Sequence, residues 1–194
     1  MKNILLLFVF VFSVQFSQVS AQKQIEVDGV ILPRTIEFKQ RTLMLNGVGI
    51  RSKMWVDVYV QALYLSDLSQ NAESILESNS EMAIRLQITS SMVTSEKLSK
   101  SLNKGLIKSI GDGNLSKFKT QIALLESLLN KEKTFKDDAI NLIYNPADES
   151  LWVYKNDRYE GKIPGLEFKK VFFGIWLSDN PVDEKLKNDL LGKS

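Results

Sequence analysis

The sequence feature that most constrains the fold is the regular alternation of side-chain character between Glu81 and Thr89. The apolar residues fall on every second position: Met82, Ile84, Leu86 and Ile88. Arg85 and Gln87 stand between them, together with the small residue Ala83, and Thr89 follows in the same phase. Because successive side chains of a strand point to opposite faces, this pattern predicts a strand in a sheet that is covered on one side.

The other segments show strand-like and helix-like patterns in blocks along the chain. Further strands are predicted at Ile25 to Leu32, Thr35 to Leu45, Met54 to Leu65, Ala139 to Tyr144, Leu151 to Tyr154 and Arg158 to Ile163. Helices are predicted at Glu73 to Glu77, Thr94 to Ile110, Asn114 to Leu129, Phe168 to Leu177 and after Asn180, the predicted N-cap of the last helix. This order predicts an α+β fold with an antiparallel sheet backed by helices.

Residues 1–21 have the features of a secretory signal peptide. A cationic Lys2 precedes an apolar run from Ile4 to Phe12, and Val19-Ser20-Ala21 precedes a predicted cleavage before Gln22. The apolar run is too short to span a bilayer, which needs roughly 20 residues. We therefore expect residues 22–194 to form a single secreted or periplasmic domain with no transmembrane segment.

The chain contains no histidine and no cysteine. The usual zinc sites, Ser-His-Asp triads and thiol nucleophiles therefore cannot be assembled, and we expect no metal site and no cofactor. A net charge of +2 gives no indication of nucleic-acid binding. A row of lysines on the predicted helix from Thr94 is most simply a solvated face: Lys97, Lys100, Lys104 and Lys108.

One arginine follows a glycine-containing run, Leu45-Asn46-Gly47-Val48-Gly49-Ile50-Arg51. The run lacks the third glycine of a dinucleotide-binding fingerprint, and a strand follows it where that site needs a helix N-terminus. We therefore expect the two glycines to allow a tight turn or a bulge that directs Arg51.

The strand that follows this arginine has a mixed face. If Met54 to Leu65 keeps a period of two residues, Trp55 and Tyr59 lie in phase with Arg51. Aromatic rings beside a guanidinium suit an amphiphilic anion. The alternative is that Arg51 pairs with a surface carboxylate and that both aromatic residues belong to the core. The pattern alone leaves both interpretations open.

Several segments resemble the chalcone isomerase family in their order and spacing. They are Asn46 to Arg51, Val58 to Leu65, Thr94 to Leu98, Gly161 to Leu177 and Ser178 to Asp183. The resemblance covers approximately Asp28 to Gly192 and is greatest to the bacterial branch that carries a signal peptide. It implies an open-faced β-sandwich, in which a large antiparallel sheet is backed by helices.

The resemblance also implies four candidate ligand-binding residues. Arg51 falls on the family's active-site arginine, and Tyr59 falls on a strand threonine. Thr94 and Ser101 fall on helix positions where the enzyme has tyrosine and asparagine. Because only the arginine is unchanged, the donors that would stabilise a developing enolate are altered.

The family contains non-catalytic members that bind fatty acids, with the arginine holding the carboxylate. The resemblance therefore favours an exported protein that binds a small amphiphilic ligand, a fatty acid or a phenolic compound, in a helix–sheet cleft with Arg51 as the anchor. An isomerase or intramolecular lyase acting on a phenolic or enone substrate is the alternative. A third possibility is an interaction protein of the envelope whose pocket is filled.

Overall fold

Nine strands form a small hairpin and one large sheet in the part of the chain that the structure describes. The computed structural model describes residues 23–110 and 112–193, so the predicted signal peptide lies outside the described residues. The hairpin consists of β1 (Gln24–Val27) and β2 (Val30–Pro33). The large sheet contains β3 (Thr35–Phe38), β4 (Arg41–Lys53), β5 (Val56–Leu65), β6 (Met82–Ile88), β7 (Ala139–Asn145), β8 (Ser150–Lys155) and β9 (Arg158–Pro164).

Five α-helices and one 3₁₀ helix connect these strands within the same ranges. The α-helices are α1 (Ala72–Glu77), α2 (Ser95–Ile110), α3 (Lys119–Asn130), α4 (Leu166–Leu177) and α5 (Glu184–Leu190). The 3₁₀ helix, Asp112–Phe118, joins α2 to α3. None of the helices in the described ranges is long and apolar enough to cross a membrane.

The order of strands in the large sheet follows the chain from β3 to β9. Every neighbouring pair is antiparallel. Antiparallel strands can be joined by tight hairpins. Where a helix connects two strands instead, it packs on the same face of the sheet as the other helices. The predicted α+β fold, a large antiparallel sheet backed by helices, is confirmed.

The helix side of the sheet holds the larger hydrophobic core. The predicted buried face of β6 lies in this core: Met82, Ile84, Leu86 and Ile88. These side chains pack against a helix that is buried over most of its length, α4, through residues such as Phe172 and Trp176. The alternation in β6 thus reflects its burial against the helical layer.

The sheet is curled, and its opposite face is partly covered by the β1–β2 hairpin. Phe38, at the end of β3, packs edge-on against Trp152 of β8 with ring centroids 5.6 Å apart. Because β3 and β8 are distant in the strand order, only a strongly curled sheet brings them together. Tyr64 of β5 joins the sheet to the hairpin by donating a hydrogen bond to the carbonyl oxygen of Pro33 at 2.8 Å.

The predicted strand Met54 to Leu65 is wrong at its start. Met54 and Trp55 form a two-residue turn between β4 and β5, with φ values of 48° and 69°. Positive φ at both residues reverses the chain in a tight hairpin. Trp55 is therefore fully exposed and does not share a sheet face with Tyr59.

The two predicted N-terminal strands are each divided by a turn. Asp28 and Gly29, with φ values of 51° and 73°, separate β1 from β2. Lys39, with φ of 54°, lies in the turn that separates β3 from β4. Each predicted strand is thus a hairpin, because these residues form tight turns at which the chain reverses and the two halves pair.

Two predicted helix starts are also wrong. Asp183 is the N-cap of α5, and its carboxylate accepts a hydrogen bond from the Leu186 N–H at 3.1 Å. Asn180, the predicted cap, instead donates from its side-chain amide to the carbonyl oxygen of Lys108 at 2.8 Å. Residue 114 lies inside the 3₁₀ helix, and α3 begins at Lys119. The contact between Asn180 and the end of α2 is tertiary, so local cap rules do not reveal it.

Candidate functional site

A cleft of about 560 Å³ opens between the first turns of α2 and the end of the sheet that carries the β4–β5 turn. Its apolar lining residues come from the β4–β5 turn, from β5, from α2 and from the loop before α2: Met54, Val56, Val58, Tyr59, Met92, Val93 and Leu98. Val93 and Leu98 also belong to the helix-side core, so the cleft continues the protein's apolar interior outward. An apolar cleft of this size suits a small organic ligand.

Four lysines line the same cleft: Lys53, Lys97, Lys100 and Lys104. Lys97 donates to the carbonyl oxygen of Met92 at 3.0 Å, and Lys100 pairs with Glu96 at 2.6 Å. Within residues 23–110 and 112–193, the side chains of Lys53 and Lys104 have no hydrogen-bond or ion-pair partner. The cleft therefore combines an apolar interior with uncompensated positive charge.

Tyr59 places a buried hydroxyl group at the cleft. Its hydroxyl oxygen accepts a hydrogen bond from the indole N–H of Trp176 at 3.4 Å, which leaves the tyrosine O–H able to donate. Burial raises the pKa of Tyr59 above its usual value; the Trp176 bond and the nearby Arg51 charge oppose this, and Asp183 adds to it. The phenol is thus protonated at neutral pH and suited to donate to an anion.

Arg51 lies on β4 directly opposite Tyr59 of β5 in the sheet register. Cross-strand partners share one face, with Cβ atoms about 5 Å apart. One guanidinium nitrogen, Nη1, donates to Asp183 at 2.8 Å and to the carbonyl oxygen of Ser52 at 3.1 Å. Arg51 is not among the cleft-lining residues, and its pairing with a carboxylate matches the alternative interpretation of the sequence.

The two predicted helix positions are placed differently. Ser101 of α2 lines the cleft. Thr94 precedes α2 and is exposed; its hydroxyl oxygen accepts a hydrogen bond from the Lys97 N–H at 3.2 Å, as an N-cap does. Tyr59 and Ser101 therefore meet at the cleft, Arg51 lies beside Tyr59, and Thr94 lies outside the cleft lining. The ligand-binding roles of all four residues stay predictions.

The glycine-containing run before Arg51 forms the surface of β4 against which α5 packs. Asn46 is an extra residue in β4, where the register shifts, and its side-chain amide donates to the carbonyl oxygen of Leu190 at 2.9 Å. A Cβ at Gly47 would lie 2.3 Å from the carbonyl oxygen of Asp189. The predicted bulge is therefore present, but the glycines lie in a strand, not in a tight turn, and they allow α5 to approach.

Gln61, between Tyr59 and Leu63 on β5, is a buried polar residue that sequence reasoning missed. Its side chain is fully buried, and within the described residues neither its amide nitrogen nor its amide oxygen has a hydrogen-bond partner. A polar residue in an otherwise apolar stretch was the available signal. An unpartnered buried amide is energetically unfavourable.

We expect Gln61→Leu to raise the free energy of unfolding by about 1 to 2 kcal/mol, because the unpaired amide is removed at similar volume. Urea unfolding followed by tryptophan fluorescence measures the change. Gln87→Leu is the matched control, because the Gln87 amide donates to the carbonyl oxygen of Asp137 at 2.7 Å and its removal brings no such gain. A loss of stability in Gln61→Leu would contradict the assignment.

The described residues contain no group of three or more histidine, cysteine or acidic side chains placed to hold a metal ion. The candidate site consists of an apolar cleft, a protonated tyrosine, an adjacent arginine and surrounding lysines. Such a set can bind and orient an anion that carries an apolar group.

Comparisons with known proteins identify one family and one fold. A sequence profile described as chalcone isomerase-like matches residues 23–192. No curated protein matches the chain in sequence. Among solved structures, a fatty-acid-binding protein of Arabidopsis thaliana superposes with a TM-score of 0.69 at 19% identity, over 87% of this chain and 95% of the plant protein. At this identity the likeness shows a shared fold.

Proposed function

The chain belongs to the chalcone isomerase-like family, and from this premise we propose that it binds a small amphiphilic anion, such as a fatty acid, in the cleft between α2 and the sheet. We further propose that the protein is exported, with cleavage near Ala21-Gln22. The plant protein of the same fold is a fatty-acid-binding protein, which supports a lipid as the ligand class.

The observation that carries the proposal is the cross-strand pair of Arg51 and Tyr59 beside an apolar cleft. Tyr59 lines the cleft and can donate its O–H, whereas Arg51 uses only Nη1 in its bonds to Asp183 and Ser52. The other guanidinium nitrogens have no partner among the described residues and remain able to donate. In the proposed complex, the ligand carboxylate accepts from Arg51 and Tyr59.

The apolar part of the ligand would occupy the rest of the cleft. Val56 and Val58 of β5 line it together with Val93 and Leu98. Burial of each ligand methylene contributes about 0.8 kcal/mol, so a hydrocarbon tail adds most of the affinity and the anchor adds orientation. The lysines around the cleft attract the anion before it binds.

The alternative is an isomerase or intramolecular lyase that acts on a phenolic or enone substrate. A protonated Tyr59 could donate to a developing enolate as well as to a carboxylate. Turnover that is lost in Tyr59→Phe would favour the enzyme, whereas saturable binding without turnover favours the binding protein.

We expect Arg51→Ala to weaken the binding of a fluorescent fatty acid by about ten- to hundredfold, because a charge-assisted hydrogen bond is lost. Displacement titration with unlabelled fatty acids of several chain lengths gives the dissociation constants. The loss should be similar for all chain lengths, because the tail contacts are unchanged.

Asp183→Asn is the matched control for this experiment. Asparagine caps a helix as well as aspartate does, but it removes the charge that competes for Arg51. We therefore expect Asp183→Asn to bind fatty acids at least as tightly as the wild-type protein. If Arg51→Ala leaves the affinity unchanged, Arg51 is not the anchor. If both variants lose affinity equally, the Arg51–Asp183 pair supports the fold and not the ligand.

A further inference from the structure

The β4–β5 turn presents two large apolar side chains to solvent. Met54 is 82% exposed and Trp55 is fully exposed. Met92, in the loop before α2, is 56% exposed and lines the same cleft as Met54. These three residues, here called the apolar tip, lie at one end of the molecule, at the mouth of the cleft.

The backbone of the turn is unfavourable for the residues that occupy it. Met54 and Trp55 have φ values of 48° and 69°, and two-residue hairpin turns with positive φ strongly favour Asn-Gly. A bulky residue with positive φ is strained, and such strain is often retained at functional sites. Neither local conformation nor burial within the described chain explains Met54 and Trp55 at these positions, which points to a partner outside the chain.

The charge around the apolar tip is positive. Four lysines line the cleft next to Met54, and of these only Lys100 has a carboxylate partner in the described ranges: Lys53, Lys97, Lys100 and Lys104. The sequence alone predicts most of these lysines as a solvated face. The structure adds Lys53 from β4 and groups all four around the tip.

We propose that the apolar tip docks on the surface of an anionic phospholipid bilayer. Trp55 inserts at the level of the headgroups, where tryptophan is enriched in membrane proteins, with Met54 beside it. The surrounding lysines bind lipid phosphates, and each lysine near the anionic surface strengthens the binding of the protein to the membrane. Docking in this orientation turns the mouth of the cleft toward the bilayer, so that a lipid ligand passes between the two without crossing water.

A membrane fits the tip better than a protein partner does. Stable protein interfaces bury about 800 Å² on each partner, and three side chains on a turn and a loop cover only part of such an area. Insertion between headgroups needs no complementary pocket, and anionic phosphate complements the uncompensated lysines. The docking surface is separate from the Arg51–Tyr59 pair, so it can be tested whether or not the proposed ligand binds.

The test is co-sedimentation of the protein lacking residues 1–21 with vesicles of phosphatidylcholine, with and without phosphatidylglycerol. We expect binding only to the anionic vesicles, with an affinity that falls as salt increases. Met54→Asn combined with Trp55→Gly should weaken binding at least about tenfold, because the inserted apolar area is removed. The same change should leave the protein folded or more stable, because Asn-Gly suits the turn.

Lys53→Gln with Lys104→Gln should weaken binding to anionic vesicles by about fivefold for each lysine, and should reduce the salt dependence. Leu68→Ser, at an exposed apolar residue beyond the opposite end of β5, and Lys117→Gln with Lys119→Gln serve as matched controls and should bind as the wild-type protein does. No binding to anionic vesicles would overturn the proposal. Equal binding by the tip variant would also overturn it, as would a loss of binding in the controls.

Discussion

Gly47→Ala is expected to lower the free energy of unfolding by about 3 kcal/mol, because overpacking against backbone atoms cannot be relieved by a rotamer change. The added Cβ would lie 2.3 Å from the Asp189 carbonyl oxygen and 2.4 Å from that of Leu190. Both atoms belong to the end of α5, so that end of the helix would have to move away from β4. Urea unfolding followed by tryptophan fluorescence measures the loss, because unfolding exposes the buried Trp176.

Gly29→Ala provides the matched control for Gly47→Ala. Its Cβ would meet nothing within 4 Å, although its φ of 73° makes alanine strained by about 1 kcal/mol. Both substitutions change the unfolded chain in the same way, so the difference between the two losses, corrected for the strain at Gly29, reports the contact with α5. A loss in Gly47→Ala that is no larger than the loss in Gly29→Ala would contradict overpacking against α5.

The second large effect is a pH dependence that arises from Lys169 on α4. Its side chain is fully buried, and its ammonium donates to the carbonyl oxygens of Ile75 at 3.1 Å, Leu76 at 2.8 Å and Ser78 at 2.7 Å. These carbonyls belong to the C-terminal end of α1, where a cation is favoured by the helix dipole. Lys169 thus joins α1 to α4.

Burial lowers the pKa of Lys169 from 10.5 to about 8; the neighbouring Lys170 adds to the shift and Glu77 opposes it. Below pH 8 the lysine is protonated in both the folded and the unfolded chain, and the cost of burying its charge is fully present. Between pH 8 and 10.5 the unfolded chain binds more protons than the folded one. The contribution of this lysine to stability therefore rises with pH across that window.

Relative to Lys169→Met, the wild-type protein should gain about 2 kcal/mol of unfolding free energy between pH 7.5 and pH 9.5. Methionine has a similar length but does not titrate, so subtracting its curve removes the pH dependence of all other groups. Urea unfolding at half-unit pH steps, kept below the range of tyrosine titration, gives the two curves. Parallel curves would contradict a lowered pKa for Lys169.

Periodicity within a few residues was enough to predict most strands and the antiparallel character of the sheet. In β6 the alternation of Met82 to Ile88 follows from burial of one face, which is a property of neighbouring residues. The β4–β5 turn could not be placed in this way, because Met54-Trp55 carries none of the Asn-Gly signal that usually marks such a turn. The predicted position of Trp55 was wrong for that reason.

The environment of the candidate site depended on contacts that no local pattern encodes. Asp183, the partner of Arg51, is 132 residues away in the chain. The run from Asn46 to Gly49 suggested a bulge, but only the packed α5 shows why glycines occupy it. That the Gln61 amide is buried without a hydrogen-bond partner likewise depends on how the layers on both sides of β5 pack, within the described residues.

The sequence by itself determined the class of fold, the family resemblance and the exclusion of histidine- and cysteine-based chemistry, because these follow from residue order and residue types. The tertiary structure alone decided that the arginine is engaged by the last helix, that Tyr59 and the lysines share one cleft, and that Trp55 lies outside it. These relations depend on how distant segments pack, and packing is set by the whole chain rather than by any local pattern.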